Sequence, residues 1–168
     1  MTINLDQLKD FEIVEFAILV EKRGAAFYDA LAERNDMAAA ANIFVKLASD
    51  EREHTREVAA VPVSRALSLI DKEEFYNSQF VEDIMGVAVF PDLKKLDPVL
   101  KGVKTPLDAV ALGMKAEAAT IAMYTAAAAA VSDKAATAAL AGLVAIEKDH
   151  LRMLGELEKT LKEHCCPK

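Results

Sequence analysis

Tryptophan is absent, and the only two cysteines, Cys165 and Cys166, are adjacent near the C-terminus. Neighbouring cysteines close a strained ring, so no disulfide framework is indicated. An excess of positive charge is also missing. The formal net charge is −7, with Lys and Arg scattered among acids, which disfavours nucleic acid as a partner. Long apolar runs are lacking too. "IVEFAILVEK" and "TAAAAAV" are interrupted or too short to span a bilayer. The opening "MTINLDQLKD" carries two Asp and no apolar segment, unlike a signal peptide. A cytoplasmic protein without membrane contact is the expectation.

What is present points to helices. Ala, Leu, Glu, Lys and Met dominate, with six Gly and five Pro in 168 residues. With 53% hydrophobic residues, the chain is long enough to bury a core as one domain, expected to span residues 1–168. Four long helices are predicted, over about residues 5–33, 37–60, 106–131 and 133–162. Asn35-Asp36 supply the first turn. Thr105, Pro106 and Asp108 form a capping-box start, and Ser132-Asp133 cap the last helix. Residues 61–104 make a crossover with apolar content of its own (Phe75, Tyr76, Phe80, Met85, Phe90), expected to hold short helices. Residues 163–168 are read as a polar tail. Two antiparallel hairpins joined by a long crossover make an all-α, ferritin-like four-helix bundle.

Histidine is rare, three in all, yet two of the three follow a Glu by three residues, in "DEREH" and "IEKDH". Sliding the chain against itself by 96 residues explains why. Glu21 falls on Glu117, Tyr28 on Tyr124, Glu51 on Glu147 and His54 on His150. Residues three apart on a helix are neighbours on one face. Asp36 lies midway between Glu21 and Glu51, and Ser132 midway between Glu117 and Glu147. Each hairpin therefore sets one Glu opposite one Glu-x-x-His pair, roughly 22 Å from its turn at 1.5 Å per residue. Packing the hairpins brings four carboxylates and two imidazoles to one level. Burying four unpaired carboxylates costs several kcal/mol each. Two divalent cations neutralise them one for one. This inventory is already known from di-iron and di-manganese carboxylate bundles, and the pattern is matched here to that known set.

The stretches "EKRGAAFY…DEREH" and "EAATIAMY…IEKDH" resemble the metal-binding helices of the rubrerythrin branch of the ferritin-like superfamily. The resemblance implies Glu21, Glu51, His54, Glu117, Glu147 and His150 as ligands of two iron ions. Glu51 and Glu147 would bridge, while Glu21 and Glu117 would be terminal. Tyr28 and Tyr124 would donate hydrogen bonds to ligand carboxylates. The same donor set accepts manganese or zinc. Two departures stand out. Thr120 occupies a position where rubrerythrins usually carry a further Glu, and the paired Cys-x-x-Cys motifs of a rubredoxin-like module are missing.

The function implied is a di-iron oxidoreductase that reduces hydrogen peroxide or dioxygen. Its electrons would come from a separate donor such as a rubredoxin or a flavoprotein. A ferroxidase or iron-handling protein without peroxidase turnover is the alternative. Glu53, Glu57 and Asp149 point away from the motif face and are read as solvated. His164 beside the cysteines is read as part of the tail rather than as a metal site. Gly24 and Gly113 suit close helix approach, or room for a small oxidant. Helix one carries a second apolar stripe, Ile13, Phe16, Val20 and Phe27. That stripe needs cover from the crossover or another subunit, and a homodimer is the expectation.

Overall fold

Strong helix formers with few breakers yield five α-helices among the residues this computed structural model describes, 10–63, 90–91 and 93–165. They are α1 (Asp10–Ala32), α2 (Ala41–Ala59), α3 (Leu93–Gly102), α4 (Pro106–Ala130) and α5 (Lys134–Cys165). Among the described residues there is no strand. α1 packs along α2 and α4 along α5 as two hairpins, while α2 faces α5 and α1 faces α4 across the bundle. The chain is an all-α, ferritin-like helical bundle. No described helix is long and apolar enough to cross a membrane.

The caps show why the helices start where they do. At α4, Thr105 Oγ1 accepts from the Asp108 amide (3.1 Å), and Asp108 Oδ2 accepts from the Thr105 amide (2.9 Å). Pro106 takes the first helical position, where its missing N–H costs nothing. At α5, Asp133 Oδ1 accepts from the Ala136 amide at 2.9 Å. Asp10, at the start of α1, binds the Ser132 amide, the Ser132 hydroxyl and the Asp133 amide at 2.7–3.0 Å. One carboxylate thus pins α1 to the turn of the other hairpin.

Two boundaries differ from expectation. α2 begins at Ala41 rather than Met37, because Asn35–Met37 form a 3-10 turn. That turn is held by Met37 N–H to Arg34 C=O (3.0 Å) and followed by Ala40 N–H to Met37 C=O (2.8 Å). The tighter winding turns Met37 fully into the core. α5 runs to Cys165, past Lys162. Leu161 is still buried and the Lys162–Glu158 pair (2.8 Å) supports the last turns. His164 is exposed and helical, its Nδ1 2.8 Å from the Thr160 carbonyl. Cys166 lies outside the described residues, as do residues 5–9 of the first predicted helix.

α3 is one short helix within the expected crossover; Phe75, Tyr76, Phe80 and Met85 lie outside the described residues. Arg34 anchors its C-terminal end, donating to the carbonyls of Leu100 (2.7 Å) and Val103 (2.8 Å). These are backbone acceptors that a helix end leaves unpaired.

The second stripe of α1 is covered within a single chain. Ile13, Phe16, Val20 and Phe27 are each at most 1% exposed, and the Phe27 ring meets Phe90 of the crossover at 5.5 Å between centroids. Each such side chain contributes roughly 1.5–3 kcal/mol by leaving water. The reason to look for a second subunit on this face is therefore gone.

Candidate metal centre

All six residues singled out by the internal repeat converge. Glu21, Glu51, Glu117 and Glu147 are at most 1% exposed, His54 4% and His150 1%. α1 supplies Glu21, α2 supplies Glu51 and His54, α4 supplies Glu117, and α5 supplies Glu147 and His150. Their oxygen and nitrogen atoms form two overlapping groups, each with all donor atoms within 4.8 Å of one another. One group is Glu21, Glu51, His54 and Glu147; the other is Glu51, Glu117, Glu147 and His150. Glu51 and Glu147 belong to both.

The imidazoles repeat the same approximate twofold relation. His54 Nδ1 lies 3.1 Å from Glu21 Oε2, 3.4 Å from Glu51 Oε2 and 3.9 Å from Glu147 Oε1. His150 Nδ1 lies 3.0 Å from Glu147 Oε2, 3.6 Å from Glu51 Oε1 and 3.9 Å from Glu117 Oε1. The two rings stack at 5.3 Å with 23° between planes. Both present Nδ1 to the carboxylates.

The tyrosines cross the bundle reciprocally. Tyr28 of α1 donates to Glu117 Oε1 of α4, and Tyr124 of α4 donates to Glu21 Oε1 of α1. Burial, reinforced by the Glu117 charge at Tyr28 and the Glu21 charge at Tyr124, holds both phenols well above their ordinary range. Each therefore stays a donor and leaves one oxygen of its carboxylate for another partner. Replacing Tyr28 or Tyr124 by Phe strips Glu117 or Glu21 of that bond. Metal affinity is expected to fall roughly 10–100-fold, the usual effect of losing an outer hydrogen bond to a ligand. Titrating each variant with cobalt(II) checks this. An unchanged affinity would mean that the phenols only fill space.

Electrostatics show how poorly these groups suit one another without a cation. Burial, then the charges of Glu21 and Glu147, drives the Glu51 carboxyl well above its ordinary value. Burial and the Glu147 charge do the same to Glu117. Burial and Glu21 push Glu147 up to about 8. Glu21 goes the other way: burial opposes its charge, but hydrogen bonds from Glu51, His54 and Tyr124 outweigh it and lower its value. Burial lowers the His54 value as well, yet Glu21 beside it brings a net rise. For His150 burial prevails over Glu117, and the net shift is downward.

Glu51 Oε1, Glu117 Oε2 and Glu147 Oε1 are buried acceptors without a hydrogen-bond partner. Orphaned buried oxygens are costly, and here they turn into the same cluster. A pair of divalent cations would satisfy the oxygens, balance the four negative charges and remove the repulsion. The residues present fit such a centre.

Neighbouring positions are already filled. A Cβ on Gly24 would stand 2.9 Å from Phe90 Cε2 and 3.1 Å from Glu51 Cδ; one on Gly113 would stand 3.3 Å from Leu154 Cδ1 and the Tyr28 hydroxyl. Both glycines give space to side chains that support the centre. Thr120, buried, turns its hydroxyl back to the Ala116 carbonyl at 3.1 Å. Glu53, Glu57 and Asp149 are exposed, as expected. Asp50 is the residue the repeat did not flag. Its Oδ2 lies 3.5 Å from His150 Nε2. The repeat gives no signal for it: the position 96 residues on is Ile146, and neighbouring positions such as Arg52/Lys148 and Glu53/Asp149 differ too.

No curated protein and no solved structure matches the chain. The family model described as Rubrerythrin matches residues 12–158, a span that includes every ligand candidate and both tyrosines. With most of its length matched and with a buried carboxylate-histidine cluster that can hold metal, the chain belongs to the rubrerythrin family.

Proposed function

We propose that the six buried residues hold two iron ions and that the protein is an oxidoreductase reducing hydrogen peroxide or dioxygen. The observation that carries this reading is the pair of overlapping ligand groups sharing Glu51 and Glu147. Two cations that share two carboxylates are close enough to act on one small molecule. Paired ferrous ions supply two electrons at one place, as the reduction of a peroxide bond requires.

The residues divide the work. Glu51 and Glu147, common to both groups, would be shared between the metals, while Glu21 with His54, and Glu117 with His150, would each hold one. Tyr28 and Tyr124 hold the terminal carboxylates in orientation and remain protonated. Phe90, packed against Tyr28 at 5.7 Å and Phe27 at 5.5 Å between centroids, lines the apolar flank beside Glu51. Thr120 is engaged with its own helix and offers no fifth carboxylate, so the centre works with six ligands. Electrons come from a separate protein donor, a rubredoxin or flavoprotein, in the cytoplasm. Manganese and zinc compete for the same donors, because affinity alone does not discriminate among these ions.

Stopped-flow mixing of the di-ferrous protein with hydrogen peroxide tests the reading. Oxidation much faster than that of free ferrous ion is expected, with two irons per chain throughout. A rate no faster than free iron overturns it. Iron accumulating beyond two per chain, in a larger particle, would indicate iron handling instead.

A further inference from the structure

The internal repeat makes the two halves of the centre alike in every ligand, yet among the described residues only His150 has a carboxylate within ion-pair distance of its Nε2, while Asp50 and Glu57 act on His54 by charge at longer range. His150 Nε2 is buried and lacks a hydrogen bond of ordinary geometry, with Asp50 Oδ2 3.5 Å away. Asp50 is itself held by Lys46, whose Nζ stands 2.6 Å from the same oxygen. The pair is one turn apart on α2, and the Asp50 side chain is 22% exposed. At the equivalent place behind the other half, the repeat puts Ile146, which offers no acceptor.

A metal bound through Nδ1 requires that nitrogen to be bare, so the imidazole proton must sit on Nε2. For His150 that places a buried N–H toward the Asp50 carboxylate. An anionic acceptor there fixes the tautomer and ring orientation and makes Nδ1 a stronger donor to metal. His54 receives no such help from Ile146. The two halves, matched in ligands, are unmatched in this outer contact.

We propose that Asp50 is a positioning residue for His150 that makes the two halves unequal, so that the Glu117–His150 half takes the first metal ion. This rests on the two-metal reading given above. Lys46 sets Asp50 in place and tempers its charge. The consequence is ordered loading.

Cobalt(II) titration of the metal-free full chain, followed by calorimetry and visible absorption, gives two binding steps. Asp50→Ala is expected to weaken the tighter step by about tenfold or more and leave the weaker one nearly unchanged. Ile146→Asp is expected to strengthen the weaker step. A second readout is the exchangeable imidazole N–H resonance shifted by the bound cobalt. In the wild-type protein one N–H is expected to exchange slowly with solvent, and Asp50→Ala to make that same proton exchange fast. Loss of packing alone would not select one proton. If Asp50→Ala leaves both steps and both protons as in wild type, Asp50 is only a surface partner of Lys46 and the proposal fails. Wild-type protein that binds no cobalt overturns the metal reading together with this one. Wild-type protein that binds two ions with unaltered steps in the variants overturns this one alone.

Discussion

Stripping metal from the protein with a chelator is expected to lower its melting temperature, and to lower it more at about pH 8 than at about pH 5. The first part follows from mass action. With free metal about 100-fold above its Kd, each ion adds about 2.7 kcal/mol, which for a chain of this size is a rise of roughly 5–10 °C. The second part follows from the protons that the cluster holds when metal is gone. Glu147 titrates at about 8 against an ordinary 4.5, and Glu51 and Glu117 are also raised. A group with a raised folded-state value contributes stability that is complete below its unfolded value and lost as pH rises through the folded one. For Glu147 that window is 4.5 to about 8. Glu21 has a lowered value, so its contribution is lost only as pH falls through that value. Across the window the metal-free protein weakens with pH, while metal competes with ever fewer protons and binds more tightly. Thermal melts with and without chelator should therefore separate as pH rises. Coincident curves at neutral pH would remove the metal from the core.

Glu51→Gln is expected to stabilise the metal-free protein and to destroy the loaded one. Without metal, burial and the charges of Glu21 and Glu147 hold the Glu51 carboxyl well above its ordinary value and so favour its neutral form. An amide of the same shape reproduces that neutral form and removes the cost of ever ionising it. The melting temperature of the metal-free variant should equal or exceed that of the metal-free wild type. With metal the effect reverses. Glu51 is shared by both ligand groups, so its loss weakens both positions and leaves three carboxylates for four positive charges. Affinity should fall by more than the roughly 10–100-fold typical of an outer-contact loss, with bound metal dropping from two per chain to one or fewer. Elemental analysis and paired melts read the two effects separately. A variant that keeps two ions at wild-type affinity would show that Glu51 is no ligand.

Most of the helical frame could be read from residues alone. The Thr105-Pro106-Asp108 cap and the Asp133 cap are local chemistry, decided by neighbours within one turn, and the structure shows both. The start of α2 was less legible. Placing Met37 in a 3-10 turn depends on burying its side chain, which is a tertiary demand that overrides local helix preference. The far end of α5 continues because Leu161 still has core to cover, and no stop signal precedes Pro167. The apolar stripe on α1 was visible, but what covers it was not. One chain is enough, with Phe90 reaching Phe27 and Tyr28.

The centre itself was legible to an unusual degree, because its information is periodic. Spacings of three and seven residues place side chains on a common helical face, and equal arms about Asp36 and Ser132 bring them to one height. Those rules need no knowledge of the partner helix. By itself, then, the sequence determined the six converging donors, the two tyrosines and the ferritin-like topology. Only the tertiary structure decided which carboxylate each tyrosine holds, that Nδ1 rather than Nε2 faces the cluster, and that Asp50 stands behind His150. Such choices depend on contacts between helices that belong to different hairpins. A residue on α2 can find a nitrogen on α5 only once both have been packed, and no spacing along the chain encodes that distance.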